Sequence, residues 1–180
     1  MEAGNVIAGG AGANGARAPS ITIIGMGNTL MGDDGLGIFV VEGLNAEALG
    51  PGARVIAGNT AGMALLKYFL DSDVVIVIDA CDAEAEPGAI FRFNPDEAGI
   101  MGLRSNNTHG MGLTYLVTSA RLKGADPDVI VFAVQVESVN PRDRELSAPV
   151  AAAVERVREL VTEAAGRIGE EYTFAGFPLS

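Results

Sequence analysis

ITIIGMGNTLMGDDGLG, residues 21–37, is the stretch from which the rest of the chain can be read. ITII is a short apolar run rich in β-branched residues and without polar alternation, the pattern of a strand buried on both faces. Gly25 and Gly27 then permit a sharp turn and a close approach of backbone to a ligand. Asp33 and Asp34 follow where a helix should begin. Two carboxylates are thereby placed at the carboxyl end of a strand, where open α/β sheets put their sites.

Working outward, strand and helix patterns alternate, which predicts an α/β fold. The expected architecture has three layers: a twisted, mostly parallel sheet of about five strands with helices on both faces. Leu36 to Leu49 reads as a helix. Ala53 to Ala57 is a short strand broken by Gly58-Asn59-Thr60, and Ala61 to Asp71 reads as a helix capped by Thr60. DVVIVI, Asp73 to Ile78, is the clearest central strand, ended by Asp79. Glu86-Pro87-Gly88 marks a turn, after which Ala89 to Phe93 must pair antiparallel, because the connection is too short for a helical crossover. Asn94 to Asn107 is polar and glycine-containing, a loop. Thr108 is placed to cap a helix from His109 to about Lys123. Val129 to Val136 is a further strand, ended by Glu137. Leu146 to Ile168 is amphipathic, with Val150, Val154, Val157, Leu160 and Val161 on its apolar side.

Length and composition narrow the function. The 180 residues suggest one domain, long enough to bury about 70% of the unfolded chain's surface. A mean hydropathy of +0.29 argues for a well-formed core. Twelve basic against 23 acidic residues give a formal net charge of −11, and no basic stripe offsets it, so nucleic acid is not an expected partner. No apolar run approaches the ~18 to 20 residues of a membrane helix, so no membrane partner is expected either. The single cysteine, Cys81, excludes an internal disulfide and fits a reducing compartment. Residues 1–19 read as a disordered leader or an over-long start, residues 20–170 as one α/β domain, and residues 171–180 as a tail.

Three candidate ligands fall at equivalent places in this layout. Asp34 follows the first strand, Asp79 ends the central one, and His109 opens a helix. In a parallel sheet the carboxyl ends of neighbouring strands lie side by side, so the three can converge. Two carboxylates and an imidazole suit zinc or nickel better than calcium or magnesium, and three protein ligands leave a position open. Plainer readings stand beside this one. Either aspartate can cap a helix, worth about 1 kcal/mol. Asp79 can serve as an ordinary loop acceptor, and His109 as a surface residue. Cys81 reads as a small buried side chain rather than a nucleophile. Glu137 and Ser138 read as loop polar groups or as lining of the same cleft. Gly25-x-Gly27 is also half of a dinucleotide fingerprint, but position 30 is Leu, and paired aspartates repel a pyrophosphate.

Five segments together resemble the hydrogenase maturation endopeptidases, which process the large subunit of nickel-iron hydrogenases. They are GMGNTLMGDDGLG (25–37), GNTAGMALL (58–66), VIDA (77–80), THGMGL (108–113) and VESVNP (136–141), in the family's order and at similar spacing. The resemblance implies that Asp34, Asp79 and His109 contact the nickel of an immature large subunit, and that a C-terminal extension is then removed. On that basis the three are the expected catalytic and metal-contacting residues. Asn28, Asp33, Gly58, Asn59 and Thr60 are expected to line the loop and hold the substrate. Nickel would be supplied by the hydrogenase large-subunit precursor, with zinc or another divalent ion as a surrogate. The resemblance further implies a cytoplasmic enzyme, monomeric in isolation. A non-catalytic nickel-binding assembly module and a nucleotide-binding α/β domain are the alternatives.

Overall fold

The computed structural model describes residues 18–96, 108–141 and 143–175, except the side chains of 108–111 and 171–175. Its sheet has five strands: β1 (Ile21–Met26), β2 (Ala53–Asn59), β3 (Val74–Cys81), β4 (Ile90–Phe93) and β5 (Asp128–Gln135). Their order is β2-β1-β3-β5-β4. All neighbours run parallel except β4, which is antiparallel to β5. Ile21 lies opposite both Ala53 and Val74, and Val74 lies opposite Asp128, so β1, β2, β3 and β5 start level. Their carboxyl ends therefore reach one edge together.

All six residues of β1 are buried, as are Val74 to Ala80 of β3. The reason is that helices cover both faces. The strand period of two sends alternate residues to opposite layers. Ile76 and Ile78 join Leu36 and Val40 of α1 (Leu36–Glu42) and Val150, Val157 and Val161 of α4 (Ala148–Ala175). Val75 and Val77 join Phe69 of α2 (Leu66–Leu70) and Leu113 and Leu116 of α3 (Thr108–Leu122). The three expected layers, the antiparallel β4 and the buried stripe of α4 are all present.

Several element boundaries differ from expectation. β2 does not break after Ala57 but continues through Gly58 to Asn59, which pairs with Met26 of β1. The helix expected over 36–49 is α1 plus a separate 3-10 turn at Ala46–Leu49. Arg158 of α4 explains the break. Its guanidinium donates to the carbonyls of Phe39 and Val40 at 2.6 and 3.1 Å, closing the end of α1. It occupies the space a Cβ at Gly43 would need, 2.1 Å away. The helix expected over 61–71 begins as a 3-10 turn at Gly62–Leu65, because Gly62 has φ +51°, outside the helical range. Thr60 makes no cap there; Ala61 precedes the turn without a side-chain hydrogen bond. Asp79 does not follow β3 but lies within it, opposite Ala133. Finally, α4 runs on to Ala175, past Ile168. The capping role expected of Thr108 lies outside the described residues, as does residues 97–107 of the expected loop.

Candidate active-site cleft

The loop from Gly27 to Gly32 carries β1 into a 3-10 turn at Asp33–Gly35 and then into α1. Close packing fixes this path. A Cβ on Gly37 would stand 2.2 Å from the carbonyl oxygen of Met26 and 2.4 Å from that of Ile78, so α1 starts directly above the ends of β1 and β3. Gly27 has φ +127°, and a Cβ there would meet the Asp34 carbonyl at 1.8 Å. Only glycine allows either approach. Asn28 knits the loop: its amide donates to the Asp34 carbonyl (3.2 Å) and carboxylate (2.9 Å). Its side-chain oxygen accepts from Leu30 N at 3.0 Å.

The two aspartates are 1% and 2% exposed and serve different sides of the turn. Asp33 accepts four hydrogen bonds from the segment between β5 and α4. The donors are the amides of Glu137 (2.9 Å), Ser138 (3.2 Å) and Ser147 (2.7 Å), and the Ser147 hydroxyl (2.9 Å). Asp33 was expected among the substrate contacts; its carboxylate is instead taken up in holding this loop. Glu137 and Ser138 belong to that clamp rather than to the Asp34 side.

Asp34 lines a cleft of about 320 Å3 with Met26, Asn28, Met31, Thr60, Gly62, Gly112 and Leu116. Asp79 follows Val75 and Val77 in the strand alternation, so it points into the same α2/α3 layer. Its Oδ1 accepts from Ala80 N at 2.9 Å. Burial pushes its pKa from 3.8 up to about 7; the Ala80 hydrogen bond opposes this, and the Asp34 charge adds to it. Asp34, in the turn after β1, is therefore near enough for its charge to be felt by Asp79 in β3. His109 is in the first turn of α3, one turn before the cleft-lining Gly112. Its side chain lies outside the described residues. Among the described residues, no group of three or more His, Cys, Asp and Glu side chains is placed to hold a metal; Asp34 and Asp79 supply two carboxylates.

The other expected contacts divide. Thr60 and Asn28 line the cleft. Gly58 is buried, because a Cβ there would meet Ile24 at 2.8 Å and the Gly25 carbonyl at 2.9 Å. Asn59 adopts φ +47°, and its carbonyl accepts from Gly27 N at 3.3 Å, tying β2 to the loop. These two shape the wall. The sequence reading did not single out Met31, Gly62, Gly112 or Leu116 as cleft residues; the match GMGL at 110–113 was the available signal. Cys81 is half-buried, and burial, with the Asp79 and Asp82 charges, lifts its thiol to about 12, which keeps it un-ionised.

A larger cavity, about 540 Å3, sits at the other end of the sheet, beside Val74 and Asp128 at the starts of β3 and β5. Of its two lining arginines, Arg121 is engaged by Asp96 (3.0 Å) and Asp126 (2.8 Å) on an exposed surface. Chemistry at the strand ends favours the smaller cleft.

Comparison with known proteins identifies a family and a shared fold. The model of a family described as hydrogenase maturation protease, HycI, matches residues 38–164. The hydrogenase expression/formation protein HoxM of Azotobacter vinelandii is 32% identical over 174 residues, covering 91% of this chain and 84% of that protein. The hydrogenase 2 maturation protease of Escherichia coli is 29% identical over 154 residues, covering 84% and 93%. Among solved structures, the hydrogenase maturating endopeptidase HybD from E. coli superposes with a TM-score of 0.72 at 27% identity, covering 83% of this chain and 93% of that one.

Proposed function

The chain belongs to the hydrogenase maturation proteases, hydrolases of peptide bonds, and on that premise we propose that it removes a C-terminal extension from a nickel-loaded hydrogenase large-subunit precursor. The observation that carries this reading is the pair Asp34 and Asp79. Both carboxylates are buried, one in the turn after β1 and one in the adjacent strand β3; burial holds Asp79 close to neutrality, and the Asp34 charge adds to the effect. Such a pair is costly to a fold unless something positive is meant to approach it.

Nickel is here a part of the substrate, and when present it would bring positive charge to the two carboxylates. Asp34 and Asp79, with His109 as the expected third contact, would read that charge. A precursor without metal leaves the carboxylates repelling each other, so it gains nothing from the site. Near pH 7 the Asp79 carboxyl is about half protonated. Docking of a cation would release that proton. Asn28 holds Asp34 by its amide, and Thr60 borders the space a peptide would enter. A lone, un-ionised Cys81 suits a reducing cytoplasm. Among the described residues no helix is long and apolar enough to cross a membrane.

The test uses purified large-subunit precursors with and without nickel, read by intact-mass spectrometry. The loaded form should lose a C-terminal peptide, and the metal-free form should keep its mass. Unchanged mass of loaded precursors from several hydrogenase classes would overturn the peptidase reading. Retention of nickel-dependent binding in that case would point to the assembly-module alternative.

A further inference from the structure

Three segments surround the mouth of the Asp34 cleft: residues 27–32 after β1, residues 57–66 from β2 into α2, and residues 110–120 of α3. In a chain with 12 basic and 23 acidic residues, none of these three stretches contains a charge. Each instead holds a large apolar side chain open to solvent. Leu30 is 51% exposed, Met63 46% and Tyr115 62%. Leu30 adjoins the cleft-lining Met31, Met63 adjoins Gly62, and Tyr115 lies one helical turn from Gly112. The backbone N–H of Leu30 donates a hydrogen bond to Asn28 Oδ1, which fixes the loop at this exposed position. The two other large apolar side chains exposed among the described residues, Leu70 and Leu122, are at the far ends of α2 and α3.

Exposed Met and aromatic groups with charge excluded are the composition of an interface core, not of ordinary surface. An isolated exposed leucine would need no explanation, but three around one cleft do. On the proposed function, we infer that Leu30, Met63 and Tyr115 form an apolar collar that grips uncharged, apolar side chains of the substrate flanking the scissile bond, and rejects acidic ones. The occupant is the C-terminal segment of the precursor, because the collar is continuous with the cleft the bond must enter. Acidic flanking residues would be doubly excluded, since they would lose hydration against the collar and face Asp34 and Asp79 behind it. The collar contributes binding that is the same before and during the reaction, so it should set KM rather than kcat.

The experiment compares wild type with Leu30→Asp, Met63→Asp and Tyr115→Asp on a nickel-loaded precursor. All three positions are exposed, so melting temperatures should match wild type. KM should rise about tenfold or more in each, with kcat unchanged. Placing Asp in the precursor beside the cleavage point should lower kcat/KM of wild type by a similar factor. Wild-type KM should vary little between about 50 and 500 mM salt, since apolar contact is not screened. Affinity for the precursor, measured by calorimetry, tests the collar even for a precursor that is bound and not cut. Values of KM and Kd within twofold of wild type for all three variants would overturn the collar. Cleavage by wild type would then leave the peptidase reading standing, so the two failures are separable.

Discussion

On one side of the turn at Asp33–Gly35, a carboxylate is saturated. Asp33 takes four hydrogen bonds from residues 137–147, and every donor belongs to this protein. On the other side, Asp34 borders a cleft, and its charge adds to the burial that pushes the Asp79 carboxyl up to about 7. The residues are adjacent in sequence and almost equally buried, so burial alone does not distinguish them. What differs is where each is engaged: Asp33 by the loop after β5, Asp34 by Asn28 at the edge of a cleft. Charge-assisted bonds to Asp33 stabilise the fold. The buried carboxylate of Asp79 works against the fold when charged, a cost that the proposed site would turn to use.

Exchanging the two carboxylates in turn should give the largest contrast. Asp34→Asn should reduce precursor cleavage by about a thousandfold or more while keeping the melting temperature close to wild type, the scale of losing a group that acts in the reaction. Asp33→Ala should do the reverse. It strands three backbone N–H donors, costing about 3 kcal/mol or more, and lowers the melting temperature by about 6 to 12 °C. Per folded molecule it should keep turnover within about tenfold of wild type. A stable but inactive Asp33→Ala would return Asp33 to the substrate contacts and collapse the distinction.

Asp79 sharpens it through pH. Its folded-state pKa is raised, so the folded protein binds the extra proton. Its contribution is fully favourable below about pH 4 and is lost as pH rises to about 7, for a total on the order of 4 kcal/mol. Asp79→Asn abolishes that titration. The variant should therefore melt about 5 °C or more above wild type at pH 8 and show little advantage at pH 4, while losing cleavage. Equal melting temperatures at both pH values would mean that Asp79 is compensated, as Asp33 is. The smallest effect belongs to Cys81. With its thiol pushed up to about 12, it should react slowly with iodoacetamide at pH 7.5, and Cys81→Ala should leave cleavage unchanged. Loss of cleavage on that substitution would place a third group on the Asp34 side.

Much of this fold was legible because its central strands, β1 and β3, are buried on both faces. SITII and VVIVI need no alternation, since helices cover both faces, and such runs are visible without partners. The segment Glu86-Pro87-Gly88 was equally clear: a tight connection forces β4 antiparallel. The boundaries that were missed depended on distant groups. Leu36 to Leu49 has helical periodicity throughout, yet Arg158, over a hundred residues away, takes the carbonyls that end α1. Asp79 sits inside β3 because Ala133 of β5 continues the pairing beyond Ile78.

By itself the sequence determined the layer order, the glycines that let α1 sit on the strand ends, and the chemical types available at that edge. Hydrophobic period and backbone permissiveness are local properties, so they can be read one segment at a time. Only the tertiary structure decided which of two adjacent aspartates faces the cleft. Asp33 and Asp34 are the same residue with the same neighbours in sequence. Their roles separate only when Ser147 and Asp79 arrive from elsewhere in the chain, one supplying hydrogen bonds and the other a second buried charge.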